Sequence, residues 1–154
     1  MSSDRPSIEA RACFEGRFGV DRTALSWLRF HQRGDEVWAV SASVPIGVVA
    51  RRPPGLRVLR RTPHGLKPTT AFLIHLGPRI TASRVEVGFD CLYALLLGRR
   101  LDCDQPDGFV ALSYRGDIVG CGRIGRGSLQ AMIPTGRRRE LLIALTENGD
   151  TETA

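Results

Sequence analysis

The sequence contains almost no lysine and no long apolar run. Of its 22 basic residues, 21 are arginine and one, Lys67, is lysine, and 16 acidic residues leave a net charge of +6. Guanidinium groups bind phosphate in a bidentate manner and stack on planar groups better than ammonium groups do. The basic excess therefore predicts an anionic partner. The lack of a long apolar or basic amphipathic segment favours nucleic acid over a membrane.

The first residues are polar and lack the apolar segment of a secretion signal, so we expect a cytoplasmic protein. Cysteine pairs of the CxxC type are also missing, which disfavours a disulfide framework or a zinc knuckle. We therefore expect buried free thiols at Cys13, Cys91, Cys103 and Cys121.

The sequence shows no arrangement of residues that is typical of a catalytic centre. His31, His64 and His75 stand in different segments without metal-ligand spacing, and the carboxylates are scattered. The segment 120–125 matches GxGxxG, but no helix follows it, so close strand packing is the better interpretation. Cys121 has no nearby base, which favours a buried strand thiol over a nucleophile. We predict no enzymatic activity, no metal site and no cofactor.

The stretch from 108 to 133 predicts three short strands joined by glycine-rich turns. Apolar residues alternate with small ones at 110, 112 and 114, which is typical of a half-buried strand. Residues 115–117 and 125–128 supply turn chemistry, and Pro134 ends the third strand because it has no N–H to donate. Glycines at 120, 122, 125 and 127 are expected to let another backbone approach. The pattern predicts a meander of a small barrel or sandwich, with Arg123 opposite a residue near Gln130.

Upstream and downstream segments complete an α+β fold. We expect a short helix capped by Asp21, a buried helical stripe at Phe72, Leu73 and Leu76, and a disordered arm at 1–10. The other predicted elements are a β-hairpin (27–31 and 37–40), a loose connection (41–54), a strand (55–60), a helix opened by 67–70, a strand (80–87), a helix (89–97), a linker (101–107), a strand or short helix (140–145) and a polar tail (146–154). The expected domains are an N-terminal α/β part at 12–77 and a small β-barrel at 78–146, with flexible tails at 1–10 and 147–154.

The glycine, tyrosine and arginine pattern of the meander resembles a known family. GFV at 108–110, YRG at 114–116, GCGR at 120–123, GSL at 127–129, IP at 133–134 and RR at 137–138 are similar to the PUA-like RNA-binding module of Sun-family (RsmF-type) RNA cytosine-C5 methyltransferases. Residues near 18–20 and 38 resemble small stand-alone archaeal proteins built on this module. The similarity extends over residues 18–140 and is most specific at 108–139.

The resemblance implies a PUA-like β-barrel that binds RNA, with Arg123, Arg137 and Arg138 at the family's basic positions. It does not imply methylation, because the chain has neither the cofactor-binding loop nor the nucleophile motif of the methyltransferase domain. We expect a protein that recognises structured rRNA or tRNA in rRNA processing, tRNA modification or ribosome biogenesis. The alternative is a protein-interaction or specificity subunit that docks on a separate RNA-modifying enzyme.

The candidate RNA-binding residues are basic groups at strand ends and turns, with one aromatic group. We expect the run at 137–139 to leave the third strand in a constrained turn rather than in a floppy tail. Tyr114 and Trp27 are candidates for base stacking, although core packing is the commoner role for aromatic residues in strands. The predicted contacts are Lys67, Tyr114, Arg115, Arg123, Arg126, Arg137, Arg138 and Arg139.

Overall fold

A computed structural model describes residues 5–44 and 55–153, and it has the expected α+β architecture. The chain divides into two compact units, residues 1–83 and residues 84–154. The expected division after residue 77 falls at the start of a short 3-10 helix, Gly77–Arg79.

The first unit contains an antiparallel sheet in which four strands follow one another in sequence order. The predicted β-hairpin is confirmed, with His31 opposite Trp38. The elements are α1 (Arg5–Arg11), a π-helix (Ala12–Arg17), α2 (Arg22–Leu25), β1 (Leu28–Arg33), β2 (Glu36–Ser41), β3 (Leu56–Thr62), β4 (Gly65–Pro68) and α3 (Thr70–Leu76).

Aromatic side chains fill the core of the first unit. The rings of Phe14 and Phe72 meet edge to face with centroids 4.8 Å apart, and both residues are buried. The predicted buried stripe of α3 is confirmed at Phe72, Leu73 and Leu76. Asp21 caps α2 as expected, because its carboxylate accepts a hydrogen bond from the Thr23 amide.

Three expectations for the first unit are wrong. The described part of the arm at 1–10, from Arg5 onward, is helical and not disordered, and α1 buries Pro6 and Ala10. Residues 67 and 68 belong to β4, and α3 begins only at Thr70, where the Thr69 hydroxyl caps the Phe72 amide at 3.2 Å. Trp27 is not a core residue, since half of it is exposed. Most of the loose connection predicted at 41–54 lies outside the described residues.

The second unit contains a five-stranded sheet in the order β5-β7-β8-β9-β6. Only the β5–β7 pair is parallel. The elements are β5 (Arg84–Glu86), α4 (Phe89–Leu96), β6 (Leu101–Asp102), β7 (Gly108–Tyr114), β8 (Asp117–Gly125), β9 (Ser128–Ala131) and α5 (Thr135–Thr153).

The predicted meander is confirmed in strands β7, β8 and β9. Its core face packs with α4 and α5, through residues such as Leu112, Leu92 and Leu145. β7 is not half-buried as predicted, because every residue from 109 to 113 is buried. The close approach at Gly122 involves a side chain and not a backbone, because an added Cβ there would lie 3.0 Å from Leu112 carbon atoms.

The remaining differences lie outside the meander. The strand expected at 80–87 is limited to 84–86, and the linker at 101–107 contains β6. The tail expected at 146–154 is helical through Thr153, as part of α5. All four cysteines are free thiols, but only Cys121 is fully buried, Cys13 and Cys103 are partly buried, and Cys91 is exposed.

Candidate nucleic-acid interface

The two turns of the meander each place an arginine in a left-handed backbone conformation. Arg115 and Gly116 join β7 to β8 with φ values of 53° and 84°, and Arg126 and Gly127 join β8 to β9 with φ values of 54° and 75°. Two consecutive residues with positive φ are the requirement of a type I′ hairpin turn. Both turns are therefore two-residue loops with arginine first and glycine second.

Arginine is an unfavourable residue at the first position of such a turn. Asn, Asp and Gly dominate there, because Cβ crowds the following carbonyl in the left-handed region at a cost of roughly 1–2 kcal/mol. The turns at Arg115 and Arg126 therefore carry local strain that an Asn-Gly turn of the same shape would reduce.

Both turn arginines lie at the protein surface. Arg115 is exposed, and its guanidinium lies 5.8 Å from the ring centroid of the half-buried Tyr114. Arg126 is exposed and makes no side-chain hydrogen bond or ion pair within the part of the chain that the structure describes. The two turns lie at opposite ends of the nine-residue strand β8, whose extended backbone is roughly 27 Å long.

Arg123 lies opposite Gln130 on β9, as predicted. It is only half-buried, but its Nε atom is buried and has no acceptor among the described residues. A Cβ at Gly125 would lie 3.1 Å from its Nη1 atom, so Gly125 leaves room for the guanidinium. Arg123 and Arg126 thus belong to the same end of β8, away from Arg115.

The predicted turn at Arg137, Arg138 and Arg139 is wrong, because these residues lie near the start of α5. Arginine favours helices, and downstream leucines pack on the core, which outweighs the turn tendency of the preceding proline and glycine. Arg137 pairs with Glu140 at 3.3 Å, and Arg138 donates to the Thr135 hydroxyl at 3.4 Å. Arg139 is exposed and has no side-chain partner in the described chain.

Lys67 belongs to the first unit, so the structure does not bring it into the meander. It lies on β4 opposite Arg60 of β3. Sequence reasoning missed another basic pair, Arg99 and Arg100, which are exposed between α4 and β6. Gly98 could have indicated that this pair is exposed, because a glycine at this position ends the helix and directs the following residues away from it. In the structure, Gly98 follows α4 with a φ of 89°.

The positive charge is distributed unevenly between the two units. Residues 1–83 contain 13 Arg or Lys and 6 Asp or Glu, a net charge of +7. Residues 84–154 contain 9 Arg or Lys and 10 Asp or Glu, a net charge of −1. Long-range attraction of an anion therefore comes from the first unit, whereas the meander offers local guanidinium groups.

The thiols give little support to covalent chemistry. Burial raises the pKa of Cys13 to about 12, so its reactive thiolate is scarce at neutral pH. Cys121 is fully buried on β8 inside the GxGxxG match, and that match is strand rather than a strand-to-helix loop. Within residues 5–44 and 55–153, no three His, Cys, Asp or Glu side chains gather as metal ligands.

Comparisons with known proteins leave the family open. No protein-family model matches the chain, and no curated protein matches it. Among the helices that the structure describes, none has the length and apolar character needed to cross a membrane.

Proposed function

We propose that this protein binds structured RNA, such as rRNA or tRNA, in the cytoplasm, and that its second unit is a PUA-like RNA-binding module. The observation that carries the proposal is the pair of strained turns with Arg115 and Arg126 at their tips. Strained backbone persists where the surrounding fold imposes it, and it concentrates at functional sites. Both turns have an arginine in place of the residues that such turns prefer.

The separation of these two arginines indicates the size of the ligand. A partner that contacts both turns must reach from one end of β8 to the other, and nine extended residues have a length of roughly 27 Å. A folded RNA presents phosphates over such a distance, whereas a single nucleotide does not. Arginine forks would contact the RNA backbone and its 2′-hydroxyls and recognise shape more than sequence.

The resemblance to the Sun-family module points to the same ligand, but the structure changes the ranking of the residues. Arg137 and Arg138 have partners within their own helix, and Arg123 is half-buried. Arg126 and Arg139 are exposed and have no side-chain partners in the described chain, so we expect them to contribute more.

Salt-dependent binding of the purified protein to a structured RNA tests the proposal. With four to six phosphate contacts, we expect the logarithm of the affinity to fall with the logarithm of salt concentration with a slope of roughly −3 to −5. A flat salt response, or no binding at low salt, would contradict the proposal. Calorimetry with S-adenosylmethionine should give no saturable heat, because we expect no methyltransferase activity from this chain.

A protein-interaction function has one observation in its favour. Tyr93 of α4 and Leu97, the residue that caps the C-terminal end of α4, are 38% and 49% exposed and four residues apart. Such pairs lie on one face of a helix and can contact a partner. Under this second proposal the protein is a specificity subunit that docks on an RNA-modifying enzyme. Tyr93→Ser with Leu97→Ser should then abolish capture of the enzyme without changing RNA affinity.

A further inference from the structure

The first unit contains an open hollow of about 630 Å³ that none of the predicted contacts uses. Its size falls within the range of small-molecule sites in proteins. The residues that matter for its chemistry are Gly19, Asp21, Thr23, Trp27, Arg79 and Thr81.

Trp27 offers an aromatic surface to this hollow. The residue is 50% exposed, although a tryptophan on a globular surface is usually more buried. Its ring centroid lies 6.3 Å from that of His75, which in turn stacks on the buried Phe72 with centroids 5.8 Å apart. The indole is therefore supported by the core while much of it remains available to a planar ligand.

Opposite charges line the same hollow. Arg79 is exposed at the end of the short 3-10 helix, with no side-chain partner in the described chain. Asp21 uses Oδ1 to accept hydrogen bonds of 2.9 Å from both the amide and the hydroxyl of Thr23. Those bonds lower the pKa of Asp21, so the carboxylate is ionised at neutral pH. The hollow thus combines an acceptor, a cation and an aromatic face.

The hollow is part of a fixed structure rather than a gap between loose loops. The Thr81 hydroxyl donates to the Gly19 carbonyl at 2.7 Å, and the Thr81 amide donates to the Phe18 carbonyl at 2.9 Å. Gly19 has a φ of 63°, and an added Cβ there would lie 2.2 Å from the Thr81 hydroxyl oxygen. Only glycine fits this contact without moving the wall of the hollow.

We propose that this hollow binds one nucleotide, with its base stacked on Trp27, its phosphate at Arg79 and its base N–H groups donating to Asp21. A planar ring, an anion and N–H donors are the three features that the lining complements, and a nucleotide carries all of them. Guanine suits the carboxylate best, because it presents adjacent ring N–H and amino donors. The proposal deepens the proposed RNA binding, since the nucleotide can belong to an RNA or be free.

Tryptophan fluorescence provides a direct assay, because Trp27 and Trp38 are the only two tryptophans. In a Trp38→Phe background, the emission comes from Trp27 alone. Titration with guanosine monophosphate should quench this emission saturably, because a stacked base is a close quencher. Uridine monophosphate, which has a smaller ring and one base N–H, should bind at least several-fold more weakly.

Substitutions in the same Trp38→Phe background test the phosphate contact of Arg79 and the base contact of Asp21 separately. Arg79→Ala should weaken guanosine monophosphate binding about tenfold, which is the loss of one charge-assisted contact. Asp21→Asn keeps a good helix-capping residue and should remove the preference for guanine over uracil. Arg33→Ala is the matched control, because Arg33 is an exposed arginine at the far end of β1 from Trp27. Its binding should be unchanged, and circular dichroism should show each variant folded.

A second arm uses a structured RNA and a single-stranded guanine-containing oligonucleotide. Quenching by the oligonucleotide or by guanosine monophosphate, weakened about tenfold in Arg79→Ala, supports the site and shows whether its ligand is part of an RNA or free. Quenching by the mononucleotide without RNA binding supports the site and contradicts the proposed function. RNA binding without any change in Trp27 emission overturns the site and leaves the proposed function standing. No quenching by any of the three ligands also overturns it.

Discussion

The sheets of the two units use arginine in different ways. In the first unit, sheet arginines pair with carboxylates: Arg57 with Glu36 at 2.5 Å, and Arg61 with Glu9 through two hydrogen bonds of 2.7 and 2.5 Å. In the second unit, the exposed Arg126 has no such partner in the described chain. Arginines of the first sheet are thus held by carboxylates, whereas Arg126, at a turn of the second sheet, is not.

The difference shows that the net charge of a unit does not indicate which of its arginines lack a carboxylate partner. The first unit has the whole positive excess, +7, although several of its arginines are occupied by carboxylates. The second unit has a net charge of −1 but carries arginines at both turns of its meander. Attraction over a distance and contact at short range therefore need not come from the same residues.

The largest expected effect concerns the core of the second unit. Leu112→Ala should lower the free energy of unfolding by about 2–5 kcal/mol, because Leu112 is fully buried against the sheet and Gly122 cannot fill the space. Urea unfolding followed by circular dichroism measures this change. Leu59→Ala, equally buried in the first unit, is the matched variant. A loss below about 1 kcal/mol for Leu112→Ala would mean that the meander is not a packed core.

The next largest expected effect is the difference in stability loss between replacing a paired arginine and replacing an unpaired one. Arg61→Ala removes the double hydrogen bond to Glu9 and a third bond, of 3.0 Å, to Gln32. We expect a loss of about 1 kcal/mol, since both charged groups are less than a third exposed. Arg126→Ala should change stability by less than about 0.5 kcal/mol. Equal losses in thermal unfolding for the two variants would remove the distinction between the units.

A smaller effect concerns pH and the first unit alone. Burial, with a contribution from nearby Arg33, lowers the pKa of His31, and neither ring nitrogen has a partner in the described chain. The unfolded chain therefore binds the proton more readily than the folded chain. The stabilising effect of neutral His31 is complete above its ordinary pKa of 6.5 and is lost as the pH falls through and below that value.

Urea unfolding of the wild type and His31→Gln at pH 7, 6 and 5 tests this expectation. The glutamine variant should lose less stability between pH 7 and pH 5 than the wild type. The lowered pKa of Glu9, caused mainly by its hydrogen bonds from Arg61, affects stability only in more acidic solution, below the usual value of 4.5. Parallel pH profiles would show that His31 titrates normally in the folded chain.

The meander could be predicted from sequence because its contacts are local. Turn residues lie between short apolar runs, so a two-residue loop fixes the register that places Arg123 opposite Gln130. The helix α5 could not be predicted in the same way, since Pro134 and Gly136 resemble a turn. Packing of its leucine residues on the core stabilises the helix over a turn, and those contacts involve residues that are distant in sequence.

The candidate sites also depend on features that sequence patterns do not reveal. Sequence identified Arg115 and Arg126 as turn residues, but not the positive φ of each, because arginine rarely takes that conformation. The hollow beside Trp27 brings together Asp21 and Arg79, which are far apart in the chain. No spacing rule connects such residues, so only the folded first unit reveals them.

The most direct test of the central claim replaces both turn arginines by glycine. Arg115→Gly with Arg126→Gly removes the left-handed strain, so stability should stay the same or rise by about 1 kcal/mol. Affinity for a structured RNA should fall at least tenfold at low salt, and the salt slope should become shallower by roughly 2. Arg57→Ala with Arg60→Ala, which removes the same charge from paired arginines, should leave a steeper slope than the glycine variant. Unchanged RNA affinity in the glycine variant would contradict the claim that these strained turns bind RNA.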